Sequence, residues 1–539
     1  MVIMGSAGKE ESICLSTIQR RWDSACQLLF KRKLGPIMDY APWLCSINDP
    51  IKHRKSSISG REISFAIPEY REGSKWAGFS EALAGIKFKP LSINEVKDLE
   101  SLVEGLSDRF YYAGSSVLGN SGFVEKSSNI TDSFYMYETG KLSDCKYVAF
   151  ATLGRLCEDN FGGNGIGESQ FCVRTYETFK DKRCFELWMG QYCSDCFYSH
   201  NLNSCQDCFF CFNMKNARHS IGNLALEPSK YRQIRDHLVE QVADGLEKAK
   251  RADSLIEIAA RYAPGKINAK MPAPGKQEKA DRSHIDAAFE KTCLLLFGAG
   301  LGQIDSLSTW LVRHTRGLET RRSALSGNPV HARDYSNYFL LPRERMLTEQ
   351  EAQQIGPLLR LSSQEAESIS MENAGKAISG IAYFTSEYKD GSNSNLIECP
   401  TSSDSSNCYR SSPTVYAKYC GYSFWPRSTQ YAFGCDSLLD SEFCVNCYHS
   451  VKLKRCFEMD YCRDCSDCMF CHNSENMRDS LFCFNAKNMR YAVGNQAVGK
   501  AEYERVKSLV MGKLAKSMGS GKDFAMDVYS IGAPAKAKK

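Results

Sequence analysis

Residues 456–471 read CFEMDYCRDCSDCMFC, and their five cysteines (Cys456, Cys462, Cys465, Cys468 and Cys471) fall on one three-residue phase. The phase continues outward through Cys399, Cys408, Cys420, Cys435, Cys444 and Cys447 on one side and Cys483 on the other. An earlier block repeats it with Cys145, Cys157, Cys172, Cys184, Cys193, Cys196, Cys205, Cys208 and Cys211, so 21 of the 25 cysteines obey it. Most other residues on the phase are small or apolar, among them Thr175, Leu187, Gly190, Ser199, Leu202, Ser450, Leu453, Met459, Ser474 and Ala486. A period of three fits neither an α-helix nor a plain strand. It fits a narrow β-solenoid that turns one small side chain inward per triplet. Stacked side chains then lie ~4.8 Å apart, the strand spacing, and cysteine is a small, polarizable hydrophobe suited to such a column. The expected inward column is Cys172, Cys184, Cys193, Cys196, Cys205, Cys208, Cys211, Cys444, Cys447, Cys456 and Cys483. Cysteine gaps of 9, 12 and 15 residues imply uneven rungs and leave rung length and handedness open. A serine should find few partners in so thin a core. Cys196→Ser is expected to cost about 1–3 kcal/mol, and Cys196→Ala less.

The chain is also internally repeated. Residues 168–223 align without a gap to 440–495 with 27 identities over 56 positions. Upstream, Cys26, Phe30, Leu34, Gly35, Ile37 and Trp43 match Cys293, Phe297, Leu301, Gly302, Ile304 and Trp310, and Arg54-Lys-Ser56 matches Arg321-Arg-Ser323. Two tandem units follow from this, with an ancestral homodimer suggesting an intramolecular pseudo-dimer. Each unit reads as an amphipathic helix (17–33 and 284–297), a basic irregular stretch and a short helix opened by Ser92-x-x-Glu95 or Thr348-x-x-Glu351. The Cys-rich block and a terminal helix (228–250 and 501–517) complete it. The expected segments are 1–110 (helical and basic), 111–227 (solenoid), 228–285 (capping helix and exposed linker), 286–380 (helical and basic), 381–498 (solenoid) and 499–539 (capping helix and loose basic tail).

Bulk properties narrow the classes. A chain of 539 residues suggests about three to four domains. A formal charge of +5 leaves no global nucleic-acid footprint. No run of 18 apolar residues marks a membrane span. The start, MVIMGSAGKEES, lacks the apolar core of a signal peptide, so the expected location is the cytoplasm, where thiols stay reduced. Reduced, buried thiols are therefore expected ahead of bound metal, and metal ahead of disulfides.

The run Cys462, Cys465, Cys468, Cys471 approaches the spacing of zinc and iron–sulfur ligands. Only Cys465 and Cys468 recur in the aligned block, as Cys193 and Cys196, which favours packing over a metal. His200 and His472 recur one residue off the inward phase and are expected to face outward. Asp195 and Asp467 read as turn or hydrogen-bonding residues. Gly162-Gly-Asn-Gly-Ile-Gly167 reads as a loop without a counterpart. Phe185, Phe197, Phe209 and Phe212 share an outward phase, which the unit's own helices or a protein partner should cover. The basic clusters 31–33, 52–55 and 321–322 are expected to be solvated surface, with nucleic acid as a distant alternative.

Arg54-Lys-Ser-x-x-Ser-Gly60, Asn393-Ser-Asn395, Asn407-Cys-Tyr409, Asp207-Cys-x-x-Cys-Phe-Asn-x-Lys-Asn216 with Gly222-Asn223, and Phe482-Cys-Phe-Asn-Ala-Lys-Asn488 with Gly494-Asn495 stand in a telling order. In them the chain resembles a group of uncharacterised cysteine-rich repeat proteins of candidate-phylum bacteria and related archaeal proteins. Those proteins often begin with a CxxC zinc-ribbon-like segment, which has no counterpart near Cys14, Cys26 and Cys45. The resemblance implies no activity. The expected fold is mainly β with flanking helices, in two tandem Cys-rich solenoid units. The expected function is a non-enzymatic scaffold or protein-binding protein, self-association included, without cofactor. The alternative is a zinc or iron–sulfur protein using Cys462, Cys465, Cys468 and Cys471.

Overall fold

A computed structural model describes residues 12–67, 69–91, 97–267, 281–334, 338–519 and 524–533. Its two cysteine blocks are built from a repeated backbone step. The residue before each phase cysteine is left-handed, as at Asp144 (φ 56°), Arg183 (53°), Asp195 (54°), Asp207 (54°), Arg455 (52°), Asp464 (51°) and Asp467 (55°). Two extended residues and one left-handed residue make a triplet that bends the chain and turns its third side chain inward. Such a φ costs an L-residue about 1–2 kcal/mol. Asn and Asp tolerate it best, and Asn201, Asn213 and Asn216 hold these positions, as do the aligned Asn473, Asn485 and Asn488.

The extended residues pair in parallel. Strands Lys146–Arg155, Glu158–Gly167, Gln170–Phe179, Phe185–Gln191 and Ser194–Asn203 bond in succession, Lys146 opposite Glu158 and Glu158 opposite Gln170. In the second block Glu442–Val451 pairs with Lys454–Asp460, and that with Met469–His472. Cys196 stands opposite Cys208 and Cys444 opposite Cys456, each partner 12 residues on. The expectation of uneven rungs is corrected here. After a first step of 13 residues in each block (Val117 to Ile130, Tyr388 to Thr401), the step is 12 from Gly122 and from Ser394 on and offers four inward positions, and the irregular cysteine gaps record only which of them carry sulfur. The Gly-rich stretch is likewise not a loop but part of strand Glu158–Gly167.

Helices cover the outward faces. Ile13–Phe30 is capped by Ser12, whose hydroxyl accepts from Leu15 N, and ends at left-handed Lys31. It lies against the first block beside helix Pro228–Ala249, and Ser283–Phe297 and Lys500–Gly519 cover the second. The packing repeats ring for ring. Phe30 meets Phe185 edge-on at 5.0 Å and Phe297 meets Phe457 at 5.1 Å. Trp43 and Trp310 lie over the same two phenylalanines. Gly162 (φ 66°) and Gly434 (φ 65°) allow close approach of Leu44 and Leu311, so Gly162 has a counterpart after all.

Two expected segments hold more structure than their sequence signalled. The segment taken as capping helix and linker holds a second helix, Leu255–Ala260, with Leu255, Ile258 and Ala259 in the core. Between the last helix and the expected basic tail, Phe524, Val528 and Tyr529 are buried, and residues 534–539 of that tail lie outside the described residues. The Thr348 cap is present, its hydroxyl accepting from Glu351 N at 3.2 Å. Residues 92–96, including the proposed Ser92–Glu95 cap, lie outside the described residues. Half of this cap recurs at Gly78, whose N donates to Glu81 at 2.7 Å as Thr348 N does to Glu351 at 2.9 Å. Among the described residues no helix is long and apolar enough to cross a membrane.

Candidate functional site

All the phase cysteines are buried free thiols. Cys172, Cys184, Cys193, Cys196, Cys205, Cys208 and Cys211 share one core cluster, and Cys444, Cys447, Cys456, Cys462, Cys465, Cys468, Cys471 and Cys483 share another. Cys462, Cys465, Cys468 and Cys471 occupy the four successive inward positions of one full step. Their thiols donate to backbone carbonyls: Cys462 to Asp460 (3.3 Å) and Cys471 (3.4 Å), Cys465 to Arg463 (3.1 Å), Cys468 to Ser466 (3.1 Å) and Cys471 to Met469 (3.4 Å). A thiol that donates is protonated, and burial pushes Cys462, Cys468 and Cys471 well above the ordinary thiol range. Among the described residues no group of three or more His, Cys, Asp or Glu is arranged to hold a metal ion.

Serines on the phase are better satisfied than expected. Ser450 Oγ donates to Tyr448 O at 2.7 Å and accepts from Cys462 N at 2.9 Å. Cys435 Sγ makes the same bonds, donating to Phe433 O at 3.5 Å and accepting from Cys447 N at 3.5 Å. The polar phase residues that went unread in the sequence include an amide and a carboxylate. Asn160 accepts from Cys172 N at 3.1 Å, and Asp181 accepts from Cys193 N at 2.6 Å. Burial holds the Asp181 carboxyl well above the usual range.

The two halves interlock through aligned residues. His200 Nε2 accepts from Thr385 N at 3.1 Å, and His472 Nε2 accepts from Ala113 N at 3.0 Å. Asn213 donates to Tyr383 O at 2.9 Å, and Asn485 to Tyr111 O at 2.8 Å. The histidines do face out from their stacks, but each is fully covered by the other half of the chain. An imidazole nitrogen that accepts a backbone N–H carries no proton, and burial pushes His200 down to about 3. Asp49 and Arg316, themselves aligned, form a two-pronged ion pair, with Arg316 Nη1 at 2.9 Å from Asp49 Oδ1. Beside it, Leu153 packs against Phe424 and Trp425.

Beneath the helices lies a charged layer that sequence reasoning missed. Glu186 pairs with Arg174 and accepts from Leu255 N at 3.2 Å. The aligned Glu458 pairs with Arg313 and accepts from Val528 N at 2.9 Å. The carboxylate recurs, but its arginine comes from the strand in one half and from the helical element in the other. Only the second half adds Asp460, which receives Tyr70 OH at 2.7 Å, His472 Nδ1 at 2.8 Å and Tyr529 OH at 3.1 Å. Burial opposes the Asp460 charge, yet hydrogen bonds from His449 and His472 hold its carboxyl below the usual range. Asp460 is sealed from solvent.

The first half instead leaves a cavity of about 600 Å³ lined by Pro42, Trp43, Ser46, Arg174, Ile256 and Leu340 among others. Asp195 receives both prongs of Arg183 and Asp467 those of Arg455, as structural pairs. Phe185, Phe197, Phe209 and Phe212 are buried. The basic clusters are largely neutralised: Lys31 pairs with Asp236 (2.7 Å), Arg32 with Asp244 (2.9 Å), Lys33 with Asp23 (3.2 Å) and Arg54 with Glu72 (2.7 Å). Buried Arg321 donates to Leu341 O and Phe339 O. Comparison of the chain with family models, with curated proteins and with solved structures returns no match.

Proposed function

We propose that the chain is a non-enzymatic scaffold or protein-binding protein made of two duplicated β-solenoid units packed as an intramolecular pseudo-dimer, in keeping with the cysteine-rich repeat proteins it resembles. One observation carries the reading. The conspicuous reactive groups are held by the fold: phase thiols such as Cys462 and Cys468 donate to backbone carbonyls, His472 and Asp460 pair out of contact with solvent, and Glu186 and Glu458 each hold an arginine. The recurring step of 12 residues supports the solenoid, and the reciprocal histidine and asparagine contacts support the pseudo-dimer. In this reading each solenoid takes its own pair of helices as cover. The alternative is a zinc or iron–sulfur site at Cys462, Cys465, Cys468 and Cys471.

Elemental analysis of protein purified without oxygen, joined to thermal melts with and without a chelator, separates the two. Metal-free protein with an unmoved midpoint is the expected result. Zinc or iron at whole-number stoichiometry, with a midpoint that the chelator lowers by many degrees, would overturn the scaffold reading.

A further inference from the structure

The two halves build the same layer beneath Trp43 and Trp310 and fill it differently. In the second half Arg313 reaches Glu458, Phe524 O and Met526 O; His314 faces Asp527 at 3.4 Å; and Tyr529 bonds Asp460. Sequence alignment puts Ser46 and Ile47 at the places of Arg313 and His314. The shared bond from Leu255 N and Val528 N puts Ile256 at the place of Tyr529. Three large polar side chains are thus replaced by smaller ones; Arg174 takes over the bond that Arg313 makes to the carboxylate, and the cavity of about 600 Å³ lies against Ser46, Ile47 and Ile256. That volume lies within the range of small-molecule sites, roughly 300–1,000 Å³. The cavity is therefore not a requirement of the architecture, since the other half does without it.

Its lining specifies a ligand. Pro42, Trp43, Ile47, Ile256 and Leu340 supply an apolar wall, and Leu340 is 52% exposed at the rim. Arg174 is the buried charge in the wall, 1% exposed, with its guanidinium 4.9 Å from the Trp43 ring. Its bonds to Glu186, Trp43 O and Ser46 Oγ run through Nε and Nη1, and Nη2 takes part in none of them. The acidic lining residues are Asp39, 4.0 Å from Lys250 Nζ, and Glu257, held by Ser254 N at 2.7 Å and Arg251 at 3.1 Å. A planar apolar body against Trp43 with one anionic group on the guanidinium satisfies both features.

We propose that this cavity binds a small aromatic carboxylate. The inference rests on the duplication reading, because it takes the second half as the filled version of the same site.

Binding of 4-fluorophenylacetate to the full chain, followed by fluorine NMR, tests it, with 4-fluorobenzyl alcohol and 4-fluorobenzylamine as uncharged and cationic controls. The carboxylate should bind about tenfold or more tighter than either control. Ile256→Tyr restores the bulk of Tyr529 and should weaken binding at least about tenfold without lowering the melting temperature. The pair Ser46→Arg with Arg174→Asn copies the second half and keeps Glu186 paired, so it too should fold and lose the ligand. No binding by the wild type at millimolar probe, equal binding of all three probes, or binding unchanged in Ile256→Tyr each overturns the proposal. If Ser46→Arg/Arg174→Asn fails to fold while Ile256→Tyr folds and loses the carboxylate, the cavity stands and the duplication reading fails.

Discussion

At the scale of the residue, the inward position decides between sulfur, oxygen and carbon by its hydrogen bonds rather than by its size. Cys435 accepts from Cys447 N, and Ser423, one step earlier, accepts from Cys435 N at 3.2 Å. A serine at 435 therefore inherits a donor and an acceptor, whereas an alanine leaves Cys447 N without its side-chain acceptor. Cys435→Ser should change stability by less than about 1 kcal/mol, and Cys435→Ala should cost about 1–3 kcal/mol. The order is the opposite of the one expected at Cys196, whose thiol donates to Ser194 O at 3.3 Å and Cys205 O at 3.8 Å. Urea midpoints of the two variants check it, and a serine variant clearly weaker than the alanine one would sink the account. His200 carries a second prediction at this scale. Its folded value of about 3 lies below the unfolded 6.5, so the unfolded chain binds the extra proton between them. Its contribution is complete above about pH 6.5 and is lost as pH falls toward 3, at no more than about 1.4 kcal/mol per pH unit. His200→Gln can still accept from Thr385 N. It should flatten this part of a stability–pH profile relative to the wild type, and a parallel profile would refute the assignment.

At the scale of the element, a strand step and its helix are fitted through glycine. An ideal Cβ on Gly434 would lie 2.7 Å from Leu311 O, on a backbone with φ 65°. Gly434→Ala combines the left-handed cost of about 1–2 kcal/mol with a push on the segment that carries Trp310. A total on the order of 3 kcal/mol is expected in a denaturant melt, and Gly162→Ala should behave alike against Leu44. A loss below about 0.5 kcal/mol would mean that the segment is not seated there.

Much of this layer was legible and part was not. The three-residue phase of Cys456–Cys471 predicted burial of the thiols because each triplet repeats one backbone bend. The step of 12 was written only faintly, in pairs such as Asn201 with Asn213, because Ser, Thr, Ala and Leu share the inward places with cysteine. Asp460 and Glu458 went unread because they sit off the inward phase, on either side of Met459. The groups that cover them, Tyr70, Arg313 and Tyr529, come from distant parts of the chain, and no local period signals them.

At the scale of the whole molecule, the proposed pseudo-dimer has a consequence where aligned residues meet. His200 and His472 each contact the opposite half, and residues like these can be identical because they never face each other. Asp49 and Arg316 do face each other. In a pair of identical halves that place would hold two aspartates or two arginines, and the repulsion would oppose association. A duplicated chain escapes this by letting one copy change sign. Burial disfavours the Asp49 charge, but Arg316 more than compensates and holds its carboxyl below the ordinary range. Asp49→Arg sets two arginines together and Arg316→Asp two aspartates, so each should lose on the order of 3 kcal/mol. The exchange Asp49→Arg with Arg316→Asp restores opposite charges and should recover most of that loss. A double-mutant cycle read by thermal melts measures the coupling. Additive losses in the double variant would show that the pair does not join the halves, and that the contacts of His200 and His472 hold them without it.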